Sequence, residues 1–233
     1  MLHSSTQHEV LAAVFQVRDV ESGKPALNVL LWQRALEPER GKWSLPGGRI
    51  GDDENLTDSV RRQLAEKVDL REVAHLEQLA VFSDPDRVPG PRVIASTFLG
   101  LVPSPATPAL PSDTRWHPVH DLPPMAFDHG PMVADAQARL VAKLSYTNIA
   151  FALAPREFAL STLRDIYSAA LDYPVDATNL QRVLARREVI TPTGTTAKPG
   201  TSGGRPAKEY RFTDSQLRVT DEFAALRPPG VPR

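Results

Sequence analysis

The sequence predicts an α/β sandwich built on a mixed sheet, followed by a smaller helix-turn-helix domain that ends in a β-hairpin. Two observations lead to this prediction. Apolar, β-rich runs surround one amphipathic helix in the first part of the chain, which is the pattern of an α/β domain. After a proline-bounded apolar segment at Tyr146–Pro155, two helical patterns and two short strands follow. We therefore place the first domain at residues 1–148 and the second at residues 149–233.

Five strands and two helices are predicted for the first domain. The strands are Glu9–Arg18, Ala26–Gln33, His75–Phe82, Val93–Val102 and Thr114–Val119. The turn cluster ESGKP separates the first two, which predicts that these two strands pair. Leucine and valine recur every four residues from Leu56 to Val68 and predict an amphipathic helix, capped by Asn55 or Glu54. The second helix is predicted at about residues 130–145.

The second domain shows two helical patterns, Phe158–Leu171 and Asp176–Arg187, with Asp176 as the N-cap of the later helix. Two short strands, Val189–Thr193 and Lys208–Thr213, then flank the loop GTTAKPGTSGGRPA. Two helices joined by a short turn and followed by a hairpin are the outline of a winged helix-turn-helix.

Composition excludes several classes of protein. The chain has 233 residues and no cysteine, so disulfides, cysteine-ligated zinc and a thiol nucleophile are excluded. No apolar run approaches the roughly 18 residues of a membrane span, and the first ten residues lack a signal pattern. We therefore expect a cytoplasmic protein without a membrane partner.

Charge is distributed unevenly along the chain. Residues 1–149 carry 15 Lys and Arg against 19 Asp and Glu, whereas residues 150–233 carry 12 against 9. A local basic excess near the C-terminus favours a polyanionic partner. A solvated charged surface is the alternative explanation.

The stretch WSLPGGRIGDDENLTDSVRRQLAEKVDL, from Trp43 to Leu70, carries the first candidate site. A glycine-rich turn, an acidic loop and an amphipathic helix in this order are typical of a site for a diphosphate and a divalent metal. Glycine lets backbone amides approach a ligand closely. Residues 63, 66 and 67 share one helix face, yet Gln63 is neutral and Lys67 is a cation where a metal site needs carboxylates.

This stretch resembles the Nudix box. Six of the nine specified positions match, namely Gly48, Glu54, Arg62, Leu64, Glu66 and Leu70, and the departures are Gln63, Lys67 and Asp69. The resemblance implies the Nudix α/β/α sandwich. In hydrolases of the family, three carboxylates on this helix hold magnesium, which neutralises the diphosphate and activates water. Two like unit charges 4 Å apart repel by about 4 kcal/mol at an effective dielectric near 20, so Lys67 opposes a metal.

We therefore expect a pocket that binds a diphosphate ligand without cleaving it, with no catalytic residue and no metal ligand. The candidate ligand contacts are Gly47, Gly48, Arg49, Glu54, Glu66, Lys67 and Arg92. Lys67 is the candidate to supply the positive charge of the missing metal. The alternative is a variant hydrolase in which Asp52, Asp53, Glu54 and Glu66 substitute for the usual ligands.

The later helix of the second domain, DATNLQRVLARRE, carries the second candidate site. Asn, Gln and Arg contact base edges, and Arg and Lys bind phosphate. The candidate DNA contacts on the helix are Thr178, Asn179, Arg182, Arg186 and Arg187. The candidate contacts in the hairpin are Lys198, Arg205 and Lys208, since a basic hairpin suits a minor groove or the DNA backbone.

A Nudix domain followed by this module resembles the Nudix-related transcriptional regulators of NAD metabolism. The resemblance covers about residues 8–225 and includes the tracts SDPDRVPGPRVIAS, YTNIAFAL and GRPA. It implies a homodimeric repressor of NAD biosynthesis or salvage genes that binds a palindromic operator in double-stranded DNA. It also implies ADP-ribose as the effector, commonly releasing DNA, and no required cofactor.

Two other functions remain open from the sequence. One is an ADP-ribose or nucleotide-sugar diphosphatase whose C-terminal module only dimerises. The other is a ligand-binding adaptor that recruits a protein rather than DNA.

Overall fold

The computed structural model describes residues 6–197 and 207–221. Ten strands and four α-helices are present in these residues. In chain order they are β1 (Gln7–Arg18), β2 (Ala26–Gln33), β3 (Trp43–Ser44), β4 (Gly47–Arg49), α1 (Leu56–Val68), β5 (His75–Phe82), β6 (Val93–Leu101), β7 (Thr114–Pro118), α2 (His129–Tyr146), β8 (Phe158–Ala159), α3 (Leu160–Leu171), α4 (Ala177–Arg186), β9 (Ile190–Thr196) and β10 (Lys208–Phe212). A 3₁₀ helix at Ile149–Ala152 follows α2.

Seven strands form one mixed sheet. The mixed sheet was predicted correctly, and the five predicted strands are joined by two short ones, β3 and β4. Its main order is β3-β2-β1-β6-β5, with β4 paired to β1 and β7 paired to β2. The central strands β1 and β6 run parallel, from the pair Gln7–Val93 to the pair Phe15–Leu101. β1 pairs antiparallel with β4, β2 pairs antiparallel with β3 and β7, and β5 pairs antiparallel with β6.

The buried centre of this sheet is β1, whose side chains are buried on both faces. One face packs against α1 in a core that contains Val10, Ala12, Val14, Val60, Leu64, Val68 and Phe98. The opposite face, Leu11, Ala13 and Phe15, is buried as well. A central parallel strand covered on both faces reads as a continuous apolar run, which explains why LAAVFQV lacks strict alternation.

Helix α1 has the predicted limits and the predicted cap. The Asn55 side chain accepts from the Asp58 amide at 3.0 Å and satisfies one of the free N–H groups of the first turn. The buried surface of the helix is wider than the predicted apolar stripe, because Ser59 and Gln63 are also buried.

The predicted glycine turn is different in the structure. Gly47–Arg49 form β4, which pairs with β1, rather than an open loop. A Cβ on Gly47 would lie 2.0 Å from the Val10 carbonyl oxygen. Only glycine therefore allows this close approach of the two strands.

The C-terminal part of the chain contains a three-stranded sheet in the order β8-β10-β9 with α3 and α4. The rings of Phe158 and Phe212 lie 5.3 Å apart and join β8 to β10. Helix α4 begins after Asp176, whose side chain accepts from the Asn179 amide at 2.7 Å, as predicted. Phe158–Ala159 are a strand, so the prediction of a helix from Phe158 was wrong for these two residues.

Contacts divide the chain into two compact units. The first contains β1, Leu27–Val102 and Ala106–Arg139. The second contains the chain from Leu140 onward together with Asp19–Ala26 and Pro103–Pro105. No helix in residues 6–197 and 207–221 is both long enough and apolar enough to cross a membrane.

Candidate ligand pocket and nucleic-acid interface

Arg62 on α1 engages both box carboxylates. Its Nη2 donates to Glu54 Oε2 at 2.8 Å, its Nε donates to Glu54 Oε1, and its Nη1 lies 3.1 Å from Glu66 Oε2. The Gly51 amide also donates to Glu54 at 3.0 Å. The hydrogen bond from Arg62 and the one from the Gly51 amide lower the pKa of Glu54 from 4.5 to about 2. Glu54 is thus an anion whose charge is already neutralised within the protein.

The Gln63 side chain, next to Arg62 in the helix, makes its hydrogen bond with the backbone. Its amide nitrogen donates to the Arg49 carbonyl oxygen at 3.1 Å. A Cβ on Gly48 would lie 2.8 Å from the Gln63 amide. Gln63 is buried and holds the end of β4 against α1.

A small cavity lies beside β4. Its volume is about 90 Å³, less than the roughly 300–1,000 Å³ of pockets that enclose a drug-sized ligand. It is therefore too small to enclose a whole ligand of that size. The lining residues are Glu9, Leu11, Trp32, Arg34, Ser44, Leu45, Gly47, Gly48, Lys67, Phe127 and His129.

The ammonium group of Lys67 lies at the wall of this cavity. It donates to the Gly47 carbonyl oxygen, and its nitrogen is 5.2 Å from the centre of the Trp32 ring, within the range of a cation–π contact. The indole of Trp32 is oriented by its own hydrogen bond to the Leu45 carbonyl at 3.1 Å. Burial lowers the pKa of Lys67, opposed by nearby Glu9.

Arg34 and Phe127 form a second wall. The guanidinium carbon of Arg34 lies 4.8 Å from the centre of the Phe127 ring. Phe127 has a left-handed backbone with φ of 50°, which is uncommon for a bulky residue and is found more often at functional sites.

The base of the cavity contains a neutral histidine. His129 Nδ1 accepts a hydrogen bond from the Leu45 amide at 3.0 Å. Burial lowers the pKa of His129 from 6.5 to about 4. The ring is therefore uncharged at neutral pH, and Nδ1 remains an acceptor.

A buried arginine fixes the acidic residue of the cavity. The Arg87 side chain is 1% exposed; it donates to Glu9 at 2.8 Å and to both Asp128 oxygens at 2.9 Å. The bidentate contact with Asp128 joins the loop before β6 to the start of α2, and the contact with Glu9 joins the same loop to β1. Because Arg87 pairs with Glu9, the negative charge that Glu9 brings to the cavity is already balanced. Lys67 and Arg34 also line this cavity, and both carry a positive charge.

The box residues do not fit a magnesium ion. Glu54 and Glu66 share Arg62, Gln63 donates to a carbonyl, and Lys67 brings a positive charge to the same helix face. Within the described residues no group of three or more His, Asp or Glu side chains is arranged to hold a metal ion. The oxygen-rich coordination that magnesium needs is thus not formed by these side chains.

The predicted ligand contacts fall into separate places. Gly47, Gly48 and Lys67 line the cavity, whereas Glu54 and Glu66 pair with Arg62 outside it. Arg49 is exposed, and its carbonyl rather than its side chain is engaged. Arg92 is also exposed and donates to the Ser83 carbonyl at 3.3 Å.

Sequence reasoning missed Trp32, Arg34, Phe127 and Arg87 as residues of this region. Trp32 and Arg34 follow the buried part of β2. An aromatic residue and a cation at the end of a buried strand were the sequence signal that could have identified them as site residues. Trp43, the first residue of the box stretch, packs against His117 with ring centres 4.3 Å apart.

Helix α4 presents most of the predicted DNA contacts to solvent. Thr178, Asn179, Arg182 and Arg186 are exposed. Arg182 Nη2 donates to Asn179 Oδ1 at 2.7 Å, so the two side chains form one polar pair on the helix surface. Exposed Asn and Arg can donate to base edges or phosphates in a groove.

Arg187 is placed differently from the other candidates. It pairs with Asp221 and donates to the Ser145 carbonyl at 2.9 Å, and its side chain is 15% exposed. These contacts commit Arg187 to the packing of its own unit and argue against a DNA contact. Lys208 is exposed at the start of β10, and Lys198 and Arg205 lie outside the described residues.

The fold and these two surfaces define a Nudix-type α/β domain and a winged helix-turn-helix in one chain. The chain belongs to the NUDIX domain family, which matches residues 8–136. The NrtR DNA-binding winged helix domain matches residues 150–212.

Two relatives, one of them in two structures, resemble the chain over these regions. The ADPR responsive transcriptional repressor NtrR of Acinetobacter baylyi is 29% identical over 193 residues, 80% of this chain and 76% of that protein. Shewanella oneidensis NrtR complexed with a 27mer DNA superposes with a TM-score of 0.75 at 28% identity, covering 88% of this chain and 93% of that chain. The NUDIX domain of the same NrtR complexed with ADP ribose gives a TM-score of 0.51 at 31% identity, covering 58% and 89%.

Proposed function

We propose that this protein is a DNA-binding transcriptional repressor that responds to ADP-ribose. Its proposed target genes serve NAD biosynthesis or salvage. The observation that carries the proposal is the presence in one chain of a cation-lined pocket at a Nudix box and an exposed basic helix in a winged helix-turn-helix. The relatives that bind DNA and ADP-ribose support it.

The DNA-binding part of the proposal assigns α4 to the major groove. Asn179 and Arg182 are exposed together on its first two turns, where the recognition helix of such a module meets base edges. Arg186 and Lys208 are assigned to phosphate contacts, and Lys198 and Arg205 to the hairpin contacts. Residues 1–148 and 149–233 are the proposed ligand-binding and DNA-binding domains.

The effector-binding part assigns the cavity beside Lys67 to the diphosphate of ADP-ribose. Gly47 and Gly48 line this cavity from the backbone, and Arg34 adds a second positive charge. Arg49 and Arg92 are exposed arginines assigned to the outer parts of the ligand, and Glu54 and Glu66 act indirectly through Arg62.

The pocket is proposed to bind ADP-ribose without hydrolysing it, with no required cofactor. Hydrolysis in this family needs a metal held by carboxylates, and the carboxylates of this box are engaged by Arg62. A sensor gains from this arrangement, because it binds its effector without consuming it.

We further propose that the protein acts as a homodimer on a palindromic operator in the cytoplasm. Two recognition helices then lie in successive major grooves about one helical turn apart. ADP-ribose changes DNA affinity if it binds better to a dimer geometry whose helices no longer match that spacing.

A gel shift tests the proposal. DNA from upstream of the neighbouring NAD-related genes is titrated with the protein, and the complex is then titrated with ADP-ribose or with NAD as control. A specific, salt-sensitive complex that responds to ADP-ribose but not to NAD is expected. Absence of sequence-specific binding under low salt would rule out the repressor function.

A further inference from the structure

We propose that the Lys67 ammonium group binds the effector's diphosphate directly and replaces the divalent cation of the metal-dependent members of the family. The effector is accordingly bound without metal. This inference rests on the proposed function, because it concerns how the proposed effector is held.

The geometry of Lys67 places its charge in the cavity. Its ammonium group is held by the Gly47 carbonyl oxygen and lies over the Trp32 ring. The first contact joins the side chain to β4 and the second joins it to β2. An ammonium group has three donors, so it can bind a phosphate oxygen while it keeps the Gly47 carbonyl.

The charge balance of the cavity favours an anion. Lys67 and Arg34 both line it, and the lining carboxylate of Glu9 already pairs with Arg87. The partner of Lys67 is a neutral carbonyl, and burial lowers the pKa of the lysine. A phosphate oxygen carries a negative charge and forms a stronger hydrogen bond with an ammonium group than a neutral carbonyl does, so a diphosphate at the cavity wall would supply a counter-charge for Lys67.

The same geometry excludes a cation from the position. A divalent ion beside Lys67 would meet a positive charge on the same helix face, and like charges in contact repel each other. Arg62 holds Glu54 and Glu66, and the amide of Gln63 points its donor to Arg49. Lys67 therefore acts as the counter-ion, and a metal would only compete with it.

Calorimetric titration with ADP-ribose tests this inference at pH 7, once in EDTA and once in magnesium chloride. The variants are Lys67→Met, which keeps an unbranched side chain and removes the charge, and Lys67→Arg, which keeps the charge. Arg61→Met is the matched control, since Arg61 is exposed on the same helix and lies outside the cavity. A thermal melt of each variant confirms that it is folded.

Wild type is expected to bind ADP-ribose with the same affinity in EDTA and in magnesium. Lys67→Met is expected to bind about 10- to 100-fold more weakly, the loss of one charge-assisted hydrogen bond. Lys67→Arg retains most of the affinity, and Arg61→Met binds like wild type.

Two results would overturn the inference while leaving the proposed function intact. One is wild-type binding that disappears in EDTA, and the other is a folded Lys67→Met protein that binds like wild type. If wild type binds no ADP-ribose in either buffer, both the inference and the proposed effector are wrong.

Discussion

The amide nitrogen of Gln63 donates to the carbonyl oxygen of Arg49 at 3.1 Å and joins α1 to β4 beside the cavity. A glutamate at this position has no proton to donate near neutral pH, and its oxygens would face the carbonyl oxygen. The glutamine that breaks the acidic pattern of the box therefore has a structural role. It holds the strand whose glycines line the ligand cavity.

Gln63→Glu is expected to lower the free energy of unfolding by about 1–3 kcal/mol at pH 7, because a buried hydrogen bond is replaced by an unsatisfied acceptor. Urea unfolding measures the change. At pH 4 the difference from wild type should become smaller, since a protonated carboxyl group can donate to Arg49.

Gln33→Glu is the matched control, because Gln33 also donates to a carbonyl oxygen, that of Gly41, but is exposed. Its effect should stay within about 0.5 kcal/mol. Equal stabilities of wild type and Gln63→Glu at pH 7 would contradict the structural role of Gln63.

The lowered pKa of Glu54 predicts how the stability of the protein depends on pH. Its pKa in the folded protein is lowered from 4.5 to about 2, chiefly by its hydrogen bonds with Arg62 and Gly51. Its contribution is therefore fully present above pH 4.5 and is lost as the pH falls from 4.5 toward 2. Urea unfolding of wild type and Glu54→Gln at several pH values should show a stability difference that shrinks over this range.

The same difference should also shrink in high salt, because the Glu54–Arg62 pair is partly open to solvent and salt screens exposed charges. A difference between wild type and Glu54→Gln that grows on acidification would show that Glu54 is not held as an anion.

Arg87→Met should destabilise the first unit strongly. Removing the guanidinium leaves the carboxylates of Glu9 and Asp128 close together without their shared cation, and breaking a buried pair in this way costs about 3–5 kcal/mol. The partial exposure of both carboxylates places the expected loss at the lower end of this range. Chemical denaturation measures it.

Arg139→Met provides the comparison, since the side chain of Arg139 is 40% exposed and lies 3.6 Å from Glu77. Exposed pairs contribute about 0–1 kcal/mol. A similar loss of stability in both arginine variants would mean that burial does not strengthen the contacts of Arg87.

Arg182→Ala and Arg186→Ala are expected to weaken operator binding, and each lost phosphate contact should lower the slope of log affinity against log salt by about 1. Arg182→Ala should also relax base specificity if Arg182, which is paired with Asn179, contacts a base edge. Fluorescence anisotropy over a series of salt concentrations measures both effects.

Arg71→Ala removes an exposed arginine from the other unit and should leave the slope unchanged. An unchanged slope for the double variant Arg182→Ala, Arg186→Ala would remove α4 from the DNA interface and favour the protein-recruiting adaptor.

Local sequence signals predicted local structure well. The four-residue apolar repeat gave the observed limits of α1, and Asn55 and Asp176 cap their helices through side-chain hydrogen bonds. Periodicity and capping depend on residues within a few positions of each other, so one sequence suffices to identify them. The mixed sheet and the winged helix were likewise predicted correctly.

Contacts between distant segments could not be predicted in the same way. Gly47 and Gly48 pair with residues of β1 that lie about 37 positions earlier in the chain. Arg87 contacts Glu9 and Asp128, which lie 78 and 41 positions away from it. A basic residue in a polar loop gives no local sign that it will be buried. Likewise, the sequence does not distinguish Arg187 from the exposed arginines before it, and its structural role follows only from its contacts with the distant residues Ser145 and Asp221.

The most direct test of the central claim follows DNA binding and ligand chemistry in the same sample. Protein bound to labelled operator DNA is titrated with ADP-ribose in magnesium buffer, anisotropy records DNA affinity, and chromatography records AMP. We predict a change in operator affinity of at least about fivefold, typical of allosteric coupling, with the ADP-ribose recovered intact. Steady conversion of ADP-ribose to AMP at ordinary enzyme rates, with unchanged DNA affinity, would contradict the account and identify a diphosphatase instead.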